Sequence, residues 1–229
     1  ALLDAGDIGC STSCRSTKLL HGGVRYLELA FKSLDLAQLR LVREALLERS
    51  YWLKATPFLA HRIELALPTE SCLAKTYYGL GLGLYDALSG EKSIGKSRLL
   101  SKSQLHMALP SLKHELDGGV AYSDGQFDDS RLNLLLALTA EKEGAILRTR
   151  CKVVKLEHQK DGKICGAISK NLFGEEERWT ANAVVNTTGI HTDSIRILAD
   201  ANISPKVLIS RGVHLVLKEN LCPDGMGVI

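Results

Sequence analysis

Residues 11–27 read Ser-Thr-Ser-Cys-Arg-Ser-Thr-Lys-Leu-Leu-His-Gly-Gly-Val-Arg-Tyr-Leu, and no other stretch narrows the fold of this chain so far. Hydroxyls, a lysine, a histidine, two adjacent glycines and an Arg-Tyr pair share one short segment. A packed helix or strand has no use for that mixture; a loop laid along a phosphorylated cofactor does. Gly22 and Gly23 lack a Cβ, so the backbone there can approach a ligand closely. Ser11, Thr12, Ser13, Ser16 and Thr17 supply hydroxyl donors, and Lys18 and Arg25 supply cationic ones.

Thr12-Ser13 and the run Lys18-Leu19-Leu20-His21-Gly22-Gly23-Val24-Arg25-Tyr26-Leu27 resemble the flavin loop of FAD-dependent glycerol-3-phosphate dehydrogenases, with Cys14 where that family often has Ser. The resemblance continues more weakly to the last residue. The stretch Asp124–Asn133 matches at its place, Thr187-Thr188-Gly189 resembles the family's Ala-Thr-Gly, and Gly212-Val213-His214 its Gly-x-His. It implies a mixed α/β chain: a Rossmann-like FAD-binding domain of the glutathione-reductase and D-amino-acid-oxidase type, plus an antiparallel-sheet substrate domain. The FAD-binding domain is expected over 1–60 and 126–190, and the substrate domain over 61–125 and 191–229.

The resemblance also implies a reaction. sn-Glycerol 3-phosphate is oxidised to dihydroxyacetone phosphate, hydride passes to FAD, and a quinone takes the electrons. It implies peripheral contact with a membrane, at the cytoplasmic face or the mitochondrial inner membrane, and admits a homodimer. Asp4, Thr12, Ser13, Thr17, Lys18, His21, Gly22, Gly23, Val153 and Gly189 fall where the family contacts FAD; for Val153 the contact is through main chain. Arg25, Tyr26 and His214 match active-site positions. Their chemistry suits those roles. Arg25 can make paired charge-assisted hydrogen bonds to a phosphate. Tyr26 adds a hydroxyl. His214 carries an imidazole, which can take the substrate's hydroxyl proton. Two alternatives stay open: a flavin oxidase of the same superfamily that passes electrons to oxygen, and a catalytically inert fragment. Nicotinamide-dependent dehydrogenation is disfavoured, because the hydroxyl-rich loop belongs to the flavin fold.

Ala1-Leu2-Leu3-Asp4 reads as a buried strand stopping at a carboxylate. In a dinucleotide-binding unit that carboxylate bonds the ribose, and a glycine fingerprint lies about 20 residues upstream. No Gly-x-Gly-x-x-Gly after a strand occurs in the 229 residues; Gly79-Leu80-Gly81-Leu82-Gly83 has the wrong spacing. Gly225–Ile229 reads as an unfinished strand. The expectation is an internal portion of a longer flavoenzyme.

The net charge of +3 is too small to argue for nucleic acid. Arg40, Arg43, Glu44, Glu48 and Arg49 mix signs and read as a solvated helix face. Six cysteines lack any Cys-x-x-Cys pair and read as reduced, mostly packed thiols, with no metal site. The apolar run Tyr77–Tyr85 falls short of the roughly 20 residues a membrane span needs and reads as a packed helix.

Along the chain, Leu34–Lys54 is expected as a helix, with Leu39, Val42, Leu46 and Leu53 on one face. Residues 61–68 alternate as a strand, 73–88 read as a helix, and Ser103 as the cap of a short one. Val120–Ser123 is expected to run into a turn at Asp124-Gly125. Asp128 or Asp129 would open a helix closed at Gly144. Strands follow at 145–147, 152–159, 163–170 and 176–180, with a hairpin turn at Lys160-Asp161-Gly162. Ala183–Asn186 reads as a buried strand, His191–Asp200 as a helix, and Lys206–Leu217 as a long strand carrying His214. The remaining histidines (His61, His106, His114, His158 and His191) read as structural or solvated.

Overall fold

The computed structural model describes residues 1–33, 35–112, 115–222 and 225–229, except the side chains of Arg25, Leu29, Ala30, Phe31, Lys32 and Glu91. Leu34 and His114, which figure in the sequence reading, lie outside the described residues. The chain is mixed α/β and divides into two units, one of residues 1–14 and 130–215, the other of 15–129 and 216–229. Residues 15–60, grouped by the sequence with 126–190, cluster here with 61–129, and 191–215 cluster with the first unit.

The second unit is built on a ten-residue antiparallel pair, β3 (Ala60–Thr69) and β5 (Gly118–Phe127), in register from Ala60 opposite Phe127 to Thr69 opposite Gly118. β2 (Leu19–Leu20) and β4 (Arg98–Ser101) also pair with β5, and β10 (Met226–Val228) runs parallel to β3. Both faces of this sheet are covered. On one, Val42 and Leu46 of helix α2 (Leu36–Ala55) and Leu82 and Tyr85 of α3 (Cys72–Ser89) pack on Leu65, Val120 and Tyr122. On the other, Leu100, Leu105, Leu109 and Met226 pack on Ala66 and Ala121. Leu65 and Ala66 are therefore both buried, as neighbours on a strand are only when both faces are covered.

Local signals place the helices. The Asp35 side chain accepts from the Ala37 N–H at the start of α2, and Ser71 accepts from Ala74 at the start of α3. Helix α4 (Lys102–Ala108) is capped by Ser101, two residues before the expected Ser103, because Gln104 reciprocates and closes a capping box. Val24–Leu27, the end of the segment expected as a loop, open helix α1 (Val24–Ser33). It begins directly after Gly23, at φ +79°, and Leu27 is buried against the core. Asp124-Gly125 is no turn: β5 runs through it, because β3 pairs with it along all ten residues.

In the first unit, β1 (Leu2–Leu3) pairs in parallel with β6 (Leu147–Arg148). Leu2 is 42% exposed, so this strand is not the buried one expected. Helix α5 (Asp129–Lys142) ends in a Schellman motif: the Ala145 N–H donates to Ala140 and the Gly144 N–H to Glu141. β7 (Cys151–His158), β8 (Ile164–Asn171) and β9 (Glu176–Thr180) form an antiparallel meander with the expected turn at Gly162. Helix α6 (Thr192–Ala199) follows a 3₁₀ turn at Gly189–His191.

Two expected strands are absent. Residues 183–186 and 206–217 are irregular, with Val185 80% and Val216 97% exposed. Their sequences favour extension, but a strand exists only where a neighbour takes its backbone hydrogen bonds. Among the described residues no strand pairs with either segment. The cysteines are free as expected, yet Cys151 alone is buried, and Cys10 and Cys72 are exposed. Arg49 is not solvated; it is 3% exposed.

Candidate functional site

In the second unit the segment from Ser16 to Gly23 is tied down at both ends. At its start, Asp129 accepts from the Ser16 N–H at 3.0 Å and from the Ser16 hydroxyl at 2.7 Å, while its other oxygen takes the Lys18 ammonium. The Lys18 N–H donates to the Ser16 hydroxyl at 2.9 Å, which fixes the bend at Lys18, a non-glycine residue at φ +59°. Burial alone would raise the Asp129 carboxyl. The Lys18 and Ser16 donors outweigh it and hold the group far below the usual carboxylate range. Lys18, expected to contact a cofactor, is engaged with Asp129 here, its side chain 48% exposed. Thr17 is exposed.

At the far end, the Gly22 N–H donates to the Tyr85 hydroxyl at 2.7 Å. Arg49 reaches the same hydroxyl at 3.4 Å, the Ser123 carbonyl at 3.2 Å and the Asp124 carboxylate at 2.8 Å. The Tyr85 hydroxyl donates to that carboxylate at 3.5 Å, a long contact. Burial pushes the Asp124 carboxyl up, and Arg49 only partly offsets it. Burial and the neighbouring carboxylate also raise the Tyr85 phenol, which stays protonated.

The missing side chain at Gly22 matters to the protein's own packing. A Cβ at Gly22 would lie 2.3 Å from both Leu46 Cδ2 and the Tyr85 hydroxyl, so the glycine makes room for the protein's own core. His21 is exposed beside it, and Gly23 supplies the positive φ before α1. Tyr26, on α1, is 44% exposed, with its ring 3.0 Å from where a Gly23 Cβ would stand. The backbone of Arg25 is in α1; its side chain lies outside the described residues.

In the first unit Asp4 stands at the C-terminal end of β1, beside its parallel neighbour β6, and its Oδ1 accepts from the Gly6 N–H at 2.8 Å. Thr12 and Ser13 are exposed on a 3₁₀ turn, Thr12–Cys14, whose Ser13 carbonyl accepts from Asn133 of α5 at 3.0 Å. Val153 sits where the β7–β8 register slips between Val153 and Lys155. Such a bulge leaves backbone groups out of the ladder. Gly189, at φ +56°, has no atom within 4 Å of a built Cβ, so its surface is open. Asn186 braces the approach, accepting from the Thr188 hydroxyl at 2.8 Å and donating to the Thr192 carbonyl at 3.0 Å.

His214 is exposed on the irregular 206–217 segment. The start of that segment is clipped to α6 by Asp193, which accepts from the Lys206 and Val207 amides at 2.9 Å each. Those amides, with Arg196, hold the Asp193 carboxyl below its usual range.

The expected residues thus divide. Thr17, Lys18, His21, Gly22, Gly23, Arg25 and Tyr26 lie in one unit, and Asp4, Thr12, Ser13, Val153, Gly189 and His214 in the other. The sequence reading missed Arg49, Asp124 and Tyr85. A signal existed: Arg49 follows Val42 by seven and Leu46 by three, on the apolar stripe of α2. Asp124 follows Val120 and Tyr122 at strand spacing. Among the described residues no group of three His, Cys, Asp or Glu side chains is placed to hold a metal.

Comparison with known proteins places the chain. The family described as FAD dependent oxidoreductase matches residues 1–227. A probable mitochondrial glycerol-3-phosphate dehydrogenase of Caenorhabditis elegans is 40% identical over 232 residues, covering all of this chain and 32% of its own length. The mitochondrial glycerol-3-phosphate dehydrogenase of Mus musculus is 40% identical over 236 residues, again covering all of this chain and 32% of its own. The chain therefore spans about a third of the length of these relatives. The crystal structure of glycerol-3-phosphate dehydrogenase from Bacillus halodurans, complexed with FAD, aligns at TM-score 0.61 and 24% identity over 87% of this chain and 31% of its own, a likeness of fold. The chain belongs to the FAD-dependent oxidoreductase family.

Proposed function

We propose that this chain is part of an FAD-dependent dehydrogenase that oxidises sn-glycerol 3-phosphate to dihydroxyacetone phosphate. The observation that carries the reading is 40% identity along the whole chain to proteins named glycerol-3-phosphate dehydrogenase. The residues present fit FAD. A carboxylate ends a parallel strand at Asp4, hydroxyls are exposed at Thr12 and Ser13, and the backbone at Gly189 lies open to approach. Asp4, Thr12, Ser13, Val153 and Gly189 would hold the cofactor, with Thr17, Lys18, His21 and Gly23. Gly22 serves by close packing, since its amide is spent on Tyr85.

When bound, FAD supplies an acceptor for the hydride leaving C2 of the substrate. The chain's own residues do the rest. Arg25 binds the substrate phosphate, Tyr26 adds a hydroxyl to it, and His214 takes the proton of the C2 hydroxyl. A quinone is the proposed electron acceptor. Peripheral membrane contact is supported by the apolar surface of α3, where Leu73 is 84%, Tyr77 54% and Leu80 73% exposed. Among the described residues no helix is long and apolar enough to cross a membrane. The relatives' names favour the mitochondrion over other membranes.

The test is anaerobic reduction of the flavin in the full-length protein. Glycerol 3-phosphate should bleach it, and Arg25→Ala should weaken the apparent affinity about ten- to a hundredfold, as loss of a charge-assisted phosphate contact does, with the flavin retained. Absence of bleaching would sink the reading. Oxygen uptake without added quinone would turn it into an oxidase.

A further inference from the structure

We propose that Tyr85, held between Arg49 and Asp124, is a positioning residue for the His21-Gly22-Gly23 turn at the cofactor; this rests on the FAD-binding reading above. Among the described residues, the backbone between β2 and α1 has no ladder partner at Gly22. The Tyr85 hydroxyl replaces one, accepting the Gly22 N–H at 2.7 Å. The space a side chain would need is filled by the same oxygen, 2.3 Å from a built Cβ. The turn is thus set from two sides: it can come no closer, and the hydrogen bond keeps it from moving away.

Packing alone asks for no hydroxyl. Tyr85 is 1% exposed in a core of Leu46, Leu82, Val120 and Tyr122, where phenylalanine would pack as well without desolvating an O–H. The hydroxyl brings a charge pair with it. Arg49 and Asp124 are both buried, and Arg49 Nε and Asp124 Oδ2 have no hydrogen-bond partner. Buried pairs of this kind are often no more stable than apolar residues of the same volume. What the pair does provide is orientation. Asp124 accepts the phenolic proton, which leaves the oxygen's lone pairs for Gly22 and Arg49.

Tyr85→Phe in the full-length protein tests this, with two readouts besides turnover: amide hydrogen exchange at Gly22 in the apo-protein, and the Kd for FAD. Exchange at Gly22 should accelerate about five- to tenfold, the worth of one net hydrogen bond, and the FAD Kd should rise by a similar factor. The apo-protein's Tm should fall by only a few degrees, because the ring remains and one buried N–H loses its acceptor. Faster exchange with an unchanged FAD Kd would overturn the proposal, leaving the hydroxyl a mere packing detail; so would no change in either. A parent protein that takes up no FAD would overturn the reading beneath it, and that is seen before any variant is made.

Discussion

Asp124 and Asp129 are both buried, lie on one short stretch of chain, and hold opposite ends of the same loop, yet their carboxyls are displaced in opposite directions. Asp129 faces the rim, where the Ser16 amide, the Ser16 hydroxyl and the Lys18 ammonium converge on it. Asp124 faces the core, where Arg49 satisfies one oxygen and nothing reaches the other. Burial is common to both; the number and charge of donors decides the sign. The rim carboxylate is a clamp that gains by being ionised. The core carboxylate pays desolvation to hold Arg49 and Tyr85 in one arrangement.

Breaking the core network should have the largest effect. Asp124→Asn leaves the Arg49 guanidinium buried without its counter-charge, a loss of about 3–5 kcal/mol. Replacing both, as Arg49→Met with Asp124→Leu, should recover most of that stability in a urea unfolding series, because a buried pair seldom outperforms apolar neighbours. If the double variant is as unstable as the single, the network is the fold's support and more than a positioning device.

The rim clamp should matter less and show the opposite pH dependence. Asp129→Asn should cost about 1–2 kcal/mol, the worth of charge-assisted hydrogen bonds discounted for a half-exposed lysine. The Asp129 carboxyl is lowered by folding. Its contribution is therefore present above the ordinary carboxylate value of about 3.9 and is lost as pH falls through the lower, folded value. The Asp124 carboxyl is raised. Its contribution is complete below about 3.9 and is lost as pH rises through the folded value. Followed in urea from neutrality to well below pH about 3.9, the deficit of the Asp129 variant relative to the parent should shrink and that of the Asp124 variant should grow. Parallel curves would mean that the two carboxylates share one environment.

Much of this architecture was legible in the sequence. Period-2 and period-3.6 patterns located β3, α2 and α3, the Asp-Gly turn located the β7–β8 hairpin, and the glycine pair located the loop. What escaped has physical reasons. Arg49 was read with its charged neighbours because charge suggests water, though its position on the Leu46 stripe said core. Asp124-Gly125 resembles a turn in isolation; ten residues of pairing with β3 override it. Lys206–Leu217 has strand-forming residues but, among the described residues, no strand beside it, and propensity cannot supply one. The roles proposed for His214 and Arg25 rest on the motifs that carry them, whereas the anchoring of Gly22 had to be seen in three dimensions.

The loop from Ser16 to Gly23 is held at both ends, and the proposed reading has it meet FAD already in place. Amide hydrogen exchange of the full-length protein, with and without FAD, measures this directly. The account predicts that the Gly22 and Lys18 amides exchange slowly in the apo-protein, far more slowly than residues 206–217, and slow further when FAD binds. Rapid exchange in the apo-protein, or rates that FAD leaves unchanged while the flavin is bound, would contradict it.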